Sequence, residues 1–193
     1  HPMYRRQRQM CIRDRIFSTR GSGKVIGINP EHLPMEIKKL KEMGAIIDLK
    51  KNSVSIEYDE GINSIELATL PFPGVATDLQ PIFGSALLQA EGTSILTENV
   101  YDQRFQWIPE VQRMGANIQT GWQHAMIKGV RNLSGAPVQA TDIRTGASLI
   151  IAALQADGIS SISGVDHINR GYENIVDSLS LLGSTIEYTN NYE

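Results

Sequence analysis

Three stretches of this chain repeat one design, and an internal repeat limits the available folds more than any other feature. They are "IKKLKEMGAIIDLKKNSVSIEY" from Ile37, "IPEVQRMGANIQTGWQHAMIKG" from Ile108 and "IVDSLSLLGSTIEYTN" from Ile175. Each opens with apolar residues three or four apart, the spacing of one helix face. Each then reaches a glycine, Gly44, Gly115 or Gly183, where a helix C-terminus belongs. An alternating stretch follows: "AIID", "ANIQ" or "STIE", the period of a half-buried strand. The three glycines recur about every 70 residues.

Upstream of each helix lies a further short strand: "GKVIGIN" (23–29), "GTSILTEN" (92–99) and "GISSISGVD" (158–166). Before the last two stands a Thr-Asp pair and then a run of small and apolar residues, in "GVATDLQPIFGSALLQAEG" (74–92) and "PVQATDIRTGASLIIAALQADG" (137–158). The predicted unit is strand, helix, strand, helix, strand, with another strand returning in a hairpin at 54–58 and 125–127. Units are placed at about 23–73, 74–136 and 137–193. Residues 147–154, and much of 82–88, are apolar on every side, so these helices must be covered all round. The alternating strands have one wet face. Buried helices inside and sheets outside give an inside-out α/β arrangement. Gly84, Ser85 and Ala86, and Gly146, Ala147 and Ser148, are small enough to let central helices approach closely.

The first unit should have its own buried helix before Gly23. In its place stands "HPMYRRQRQMCIRDR", which has no apolar period and no secretory h-region. "MCIRD" is what ATGTGTATAAGAGAC encodes, a string resembling a transposase adapter used in sequencing libraries. Residues 1–17 are therefore read as an artefactual or disordered arm, residues 18–193 as one domain, and the first repeat as truncated.

Charge narrows the partners. Residues 1–20 hold six of the eighteen basic residues and one acid; residues 21–193 carry 12 basic and 20 acidic groups. An acidic body argues against nucleic acid. No apolar run approaches the ~18 residues that span a bilayer. The single cysteine, Cys11, permits no intrachain disulfide and suits a cytoplasmic setting. The four histidines lack metal-ligand spacing, and no phosphate-binding glycine loop is present. No metal and no organic cofactor is expected.

From residue 21 onward there are five arginines: Arg104, Arg113, Arg131, Arg144 and Arg170. Arg104 and Arg170 lie in matching loops of successive units, which fall on one rim of a repeated fold. Arg144 stands at a helix entrance two residues after Asp142. Arg113 and Arg131 read as solvated. The plain reading of Asp78 and Asp142 is an N-cap on each central helix, with Pro81 then at the third helical position. The functional reading is a carboxylate facing a cleft, able to act as a general base.

Four stretches carry a resemblance: "FPGVATDLQPIF", "TENVYDQRFQWIPEVQRMGANI", "LSGAPVQATDIRTGASLIIAAL" and "DHINRGYENIVDSLSLLG". In this order they resemble the C-terminal part of the enolpyruvyl transferases. They are more similar to the branch that uses UDP-N-acetylglucosamine than to the branch acting on 3-phosphoshikimate. The resemblance implies an inside-out α/β barrel forming one domain of a two-domain enzyme. It also implies transfer of enolpyruvate from phosphoenolpyruvate to the sugar 3-hydroxyl, the first committed step of peptidoglycan synthesis in the cytoplasm.

Carried over residue by residue, Asp78 matches the aspartate that binds the 3-hydroxyl and takes its proton. Val100 matches a main-chain contact to the sugar nucleotide. Arg104 and Arg144 match arginines on the phosphoenolpyruvate carboxylate, and Arg170 one at its phosphate. Asp142 matches an aspartate implicated in the closed site and in proton transfer. The family's cysteine loop, reading more like G-C-x-I-G-x-R-P, is not matched by "MCIRDR". The resemblance thus implies a missing N-terminal domain and no turnover by this chain alone. Two other readings remain open: a non-catalytic repeat domain binding a nucleotide or protein partner, and an enolpyruvyl transferase with another acceptor.

Overall fold

The repeat is visible as repeated closure of helices. The computed structural model describes residues 22–58, 61–172 and 174–189; the N-terminal arm and Cys11 lie outside them. The first unit holds β1 (Gly23–Ile26), α1 (Pro34–Glu42), β2 (Ile46–Lys50) and β3 (Ser53–Glu57), with the antiparallel sheet order β1-β3-β2. β4 (Glu66–Ala68) ends the first unit and joins the sheet of the second, which holds α2 (Gln80–Ala86), β5 (Thr93–Thr97), α3 (Ile108–Arg113), β6 (Asn117–Thr120), β7 (His124–Lys128) and β8 (Leu133–Ser134). Its sheet order is β4-β5-β7-β6, with β4 parallel to β5. The third holds β9 (Pro137–Gln139), α4 (Ile143–Gln155), β10 (Ala156–Asp157), β11 (Ser161–Ser163), α5 (Val165–Gly171) and α6 (Ile175–Leu181). Here β9 pairs in parallel with β11, and β8 with β10.

Helices α1, α3 and α6 end identically. Gly44, Gly115 and Gly183 have φ of +103°, +92° and +87°, a left-handed conformation that glycine adopts without a Cβ penalty. Each glycine N–H donates to the carbonyl three residues back, on Lys41, Gln112 or Ser180. The following N–H reaches the carbonyl of Leu40, Val111 or Leu179. This double closure satisfies carbonyls the helix leaves open and turns the chain into the next segment.

In the first two units that segment is a strand, paired with the returning arm β3 or β7. In the third it is not: residues 184–189 form no strand, and no described residue pairs with them. The expected "STIE" strand is thus corrected. The alternating pattern is present, but a strand also needs a ladder partner.

All seven residues of α2 are buried, as is Thr145–Ala152 of α4, and the two helices pack against each other. Gln155 Nε2 donates to the Ser85 carbonyl at 2.9 Å, tying them together. β7 alternates exposed and buried residues along its whole length. The glycines of these helices serve a different contact from the one expected. A Cβ on Gly84 would lie 2.4 Å from Trp107 Cη2 and Cζ2, and one on Gly146 would lie 2.5 Å from Ile168 Cγ1. Both make room for side chains of neighbouring elements rather than for the other central helix.

Trp107 is fully buried and donates from Nε1 to Gln80 Oε1 at 3.1 Å, so it cannot yield easily. Gly84→Ala is therefore expected to destabilise by about 1–3 kcal/mol, read as a lower urea midpoint. Gly121→Ala, where an added Cβ meets nothing within 4 Å, should leave the midpoint nearly unchanged.

Candidate active site

The paired central helices bring together residues far apart in sequence. Asp78 lies in a 3-10 turn, Thr77–Leu79, that runs directly into α2. It is not the N-cap of that helix. Leu79 occupies the cap position in a helical conformation without any side-chain cap bond, and Pro81 falls within the first two helical positions rather than the third. The Asp78 carboxylate instead faces two guanidinium groups. Its Oδ1 accepts from Arg144 Nε and lies 3.3 Å from Arg104 Nη2. Charge-assisted bonds of this kind are about twice as strong as neutral ones, so the arginines win over the amides.

Arg104 opens the 3-10 turn Arg104–Trp107 after β5. Its Nε donates to Thr77 Oγ1 at 3.0 Å, and its guanidinium lies 4.6 Å above the Tyr101 ring. Only 10% of its side chain is exposed. Burial and the neighbouring Arg144 cation hold the guanidinium below its ordinary value, while Asp78, Glu98 and Asp142 act in the opposite sense. Arg144 is the second residue of α4, with Nη1 3.8 Å from Asp142 Oδ1.

Asp142 is the N-cap that the sequence suggested. Its backbone is extended, and its carboxylate accepts from the Arg144 amide at 2.7 Å, the Thr145 amide at 3.3 Å and the Thr145 hydroxyl at 2.8 Å. Burial alone would raise its pKa. The Thr145 hydroxyl, the two amides and the Arg144 charge outweigh burial and hold the carboxyl below its ordinary value. A depressed carboxyl stabilises the fold above the ordinary carboxylate range and loses that contribution as pH falls through its folded-state value. Asp142→Ala should thus cost about 1 kcal/mol at pH 7. Asp142→Asn should keep most of the cap while removing the acid-sensitive part. Urea midpoints at pH 7 and pH 3 separate the two.

Glu98 was not singled out in the sequence, yet it organises the same loop. It is fully buried. Its Oε1 accepts from the Thr69 hydroxyl at 2.7 Å, the Val100 amide at 2.9 Å and the Tyr101 amide at 3.0 Å. It therefore sets the main chain at Val100 and the ring beneath Arg104. A signal was available: Ser94, Leu96 and Glu98 share one period-two face, and all three are fully buried. The period-two face of β5, continued one residue past the strand's end, carries this acid inward.

Val100 is exposed beside this loop. Arg170 is exposed in the last turn of α5, and no hydrogen bond or ion pair among the described residues ties it to the Asp78 cluster. Arg113 is a solvated partner of Glu110 at 3.7 Å, and Arg131 is exposed. No group of three or more His, Cys, Asp or Glu suited to a metal occurs among the described residues. No helix among them is long and apolar enough to cross a membrane.

Residues 19–179 match the family described as EPSP synthase (3-phosphoshikimate 1-carboxyvinyltransferase). The chain belongs to this family of enolpyruvyl transferases. It is 46% identical over 173 residues to UDP-N-acetylglucosamine 1-carboxyvinyltransferase of Thermotoga maritima, covering 90% of this chain and 41% of that protein. Identity to the enzyme of the same name from Nocardia farcinica is 41% over 169 residues, covering 88% of this chain and 40% of that one. The chain spans about two fifths of the length of these relatives. Among solved structures, the enolpyruvyl transferase NikO from Streptomyces tendae aligns with a TM-score of 0.83 at 24% identity, covering 93% of this chain and 44% of that one. An EPSP synthase from Acinetobacter baumannii gives 0.74 at 20% identity, covering 92% and 46%. These likenesses carry the α/β fold.

Proposed function

We propose that this chain carries part of a site that moves the enolpyruvyl group from phosphoenolpyruvate to the 3-hydroxyl of UDP-N-acetylglucosamine, the first committed step of peptidoglycan synthesis in the cytoplasm. The observation that carries the reading is the meeting of Asp78 with Arg104 and Arg144 at the entrances of two packed central helices. The acceptor assignment is supported by relatives that are 41–46% identical to it over the aligned 169–173 residues. The units at about 23–73, 74–136 and 137–193 are read as one inside-out α/β barrel, to which the remaining length of the relatives adds a second domain.

The chemistry asks for a base at the hydroxyl, an acid at the methylene carbon and cations at the carboxylate and phosphate. Asp78 takes the hydroxyl proton as that oxygen bonds to C2 of the enol phosphate and C3 gains a proton. Loss of a C3 proton and of phosphate then restores the double bond in the product. Arg104 and Arg144 hold the carboxylate and Arg170 the phosphate. The Val100 main chain, set by Glu98, meets the sugar nucleotide. Asp142 fixes the entrance of α4 and takes part in proton transfer. The acid is assigned to a cysteine loop outside this chain. The chain by itself is therefore expected to turn nothing over.

The test is phosphate release from phosphoenolpyruvate by this chain joined to the complementary part of the Thermotoga maritima relative. Release with UDP-N-acetylglucosamine, and none with 3-phosphoshikimate, is expected. Release with 3-phosphoshikimate instead, or turnover by the unjoined chain, overturns the reading.

A further inference from the structure

We propose that Asp78 is the built-in occupant of an anion site formed by Arg104 and Arg144, and that a carboxylate substrate displaces it there. The inference rests on the reading of this cluster as a site for an anionic substrate, and adds how that site is kept in its absence. Two guanidiniums converge on a single oxygen, Asp78 Oδ1. One of them, Arg104, is nine-tenths buried. Two like charges brought together, one of them buried, need a counter-anion, and the depressed pKa of Arg104 reflects both burial and Arg144. Asp78 supplies that anion from within the chain.

Two further acids near the pair have structural roles of their own. Asp142 is held by two amides and the Thr145 hydroxyl as the cap of α4. Glu98 is held by two amides and the Thr69 hydroxyl. Asp78 caps no helix, so its departure breaks no cap. An incoming carboxylate presents to the two forks the same chemistry that Asp78 presents now. The exchange leaves the Asp78 carboxylate beside an occupied site, so a base released this way becomes available only when the anion is present.

The cost of the arrangement is apparent affinity. A ligand whose site is already filled binds only to the fraction of molecules in which that site is open. Removing the internal anion should therefore tighten binding. The experiment is calorimetric titration of this chain with phosphoenolpyruvate at low ionic strength, comparing it with Asp78→Asn and with Asp48→Asn, an exposed acid of β2 beside Lys50. Asp78→Asn is expected to bind roughly tenfold tighter or more, with Asp48→Asn little changed. Equal or weaker binding by Asp78→Asn overturns the proposal. So does equal tightening in Asp48→Asn, which would mark a general effect of removing one negative charge.

A second measurement needs no substitution. The Asp78 carboxyl carbon resonance of the unaltered chain should shift along the same saturation curve as binding; no shift at saturation overturns the proposal. Binding without a gain in Asp78→Asn removes this inference alone. Failure of phosphoenolpyruvate to bind either protein removes the anion site with it.

Discussion

Asp78→Asn, in the enzyme assembled from this chain and the remainder of a relative, is expected to lower turnover by roughly 10²–10⁴-fold, the usual loss for a missing general base. The amide keeps the size of the side chain but cannot accept the hydroxyl proton. Because Asp78 caps no helix, the fold loses no capping bond. The two arginines are left without their shared carboxylate, and added anions should restore the stability lost there. Turnover and anion affinity thus move in opposite directions in one variant, which an ordinary loss of folding does not produce. Turnover at saturating substrates, with a urea midpoint measured in parallel, checks it. Near-normal turnover from a folded variant would return Asp78 to a structural role.

Arg104→Lys is expected to have the second largest effect. Lysine keeps the charge but loses the fork that reaches Thr77 and Asp78 together, and the flat face over Tyr101. One charge-assisted bond is worth about 1.5–3 kcal/mol, so kcat/KM for phosphoenolpyruvate should fall roughly 10–100-fold. Arg144→Lys should lose less, because that side chain is 38% exposed and its contacts are better screened. Arg113→Lys and Arg131→Lys should be silent, since both side chains are exposed. Steady-state kinetics at varied phosphoenolpyruvate, for all four variants, gives the ranking.

Much of this was legible in the sequence because the relevant forces act over a few residues. A helix that ends on glycine and turns into an alternating strand is a local event, so Gly44, Gly115 and Gly183 announced three equivalent closures. Asp142 announced its cap because capping needs only the next three residues. Asp78 carried the same Thr-Asp signature, but its plain reading as a cap did not hold, because its partners come from positions 104 and 144, brought close only by helix packing. Trp107 over Gly84 was hidden for the same reason. The third closure, 184–189, shows the converse: its pattern was local, but no described residue supplies the ladder a strand needs. Glu98 lay between these cases, readable from strand register yet easily taken for a surface acid.

The most direct test of the central claim is a titration of this chain with phosphoenolpyruvate, followed at the Nε–H resonances of its arginines. Arg104 and Arg144 come from two different repeat units and meet at Asp78. They are expected to shift together on a single saturation curve, with Arg113 and Arg131 unmoved. Silence at Arg104 and Arg144, or an equal response at all four, would contradict the account.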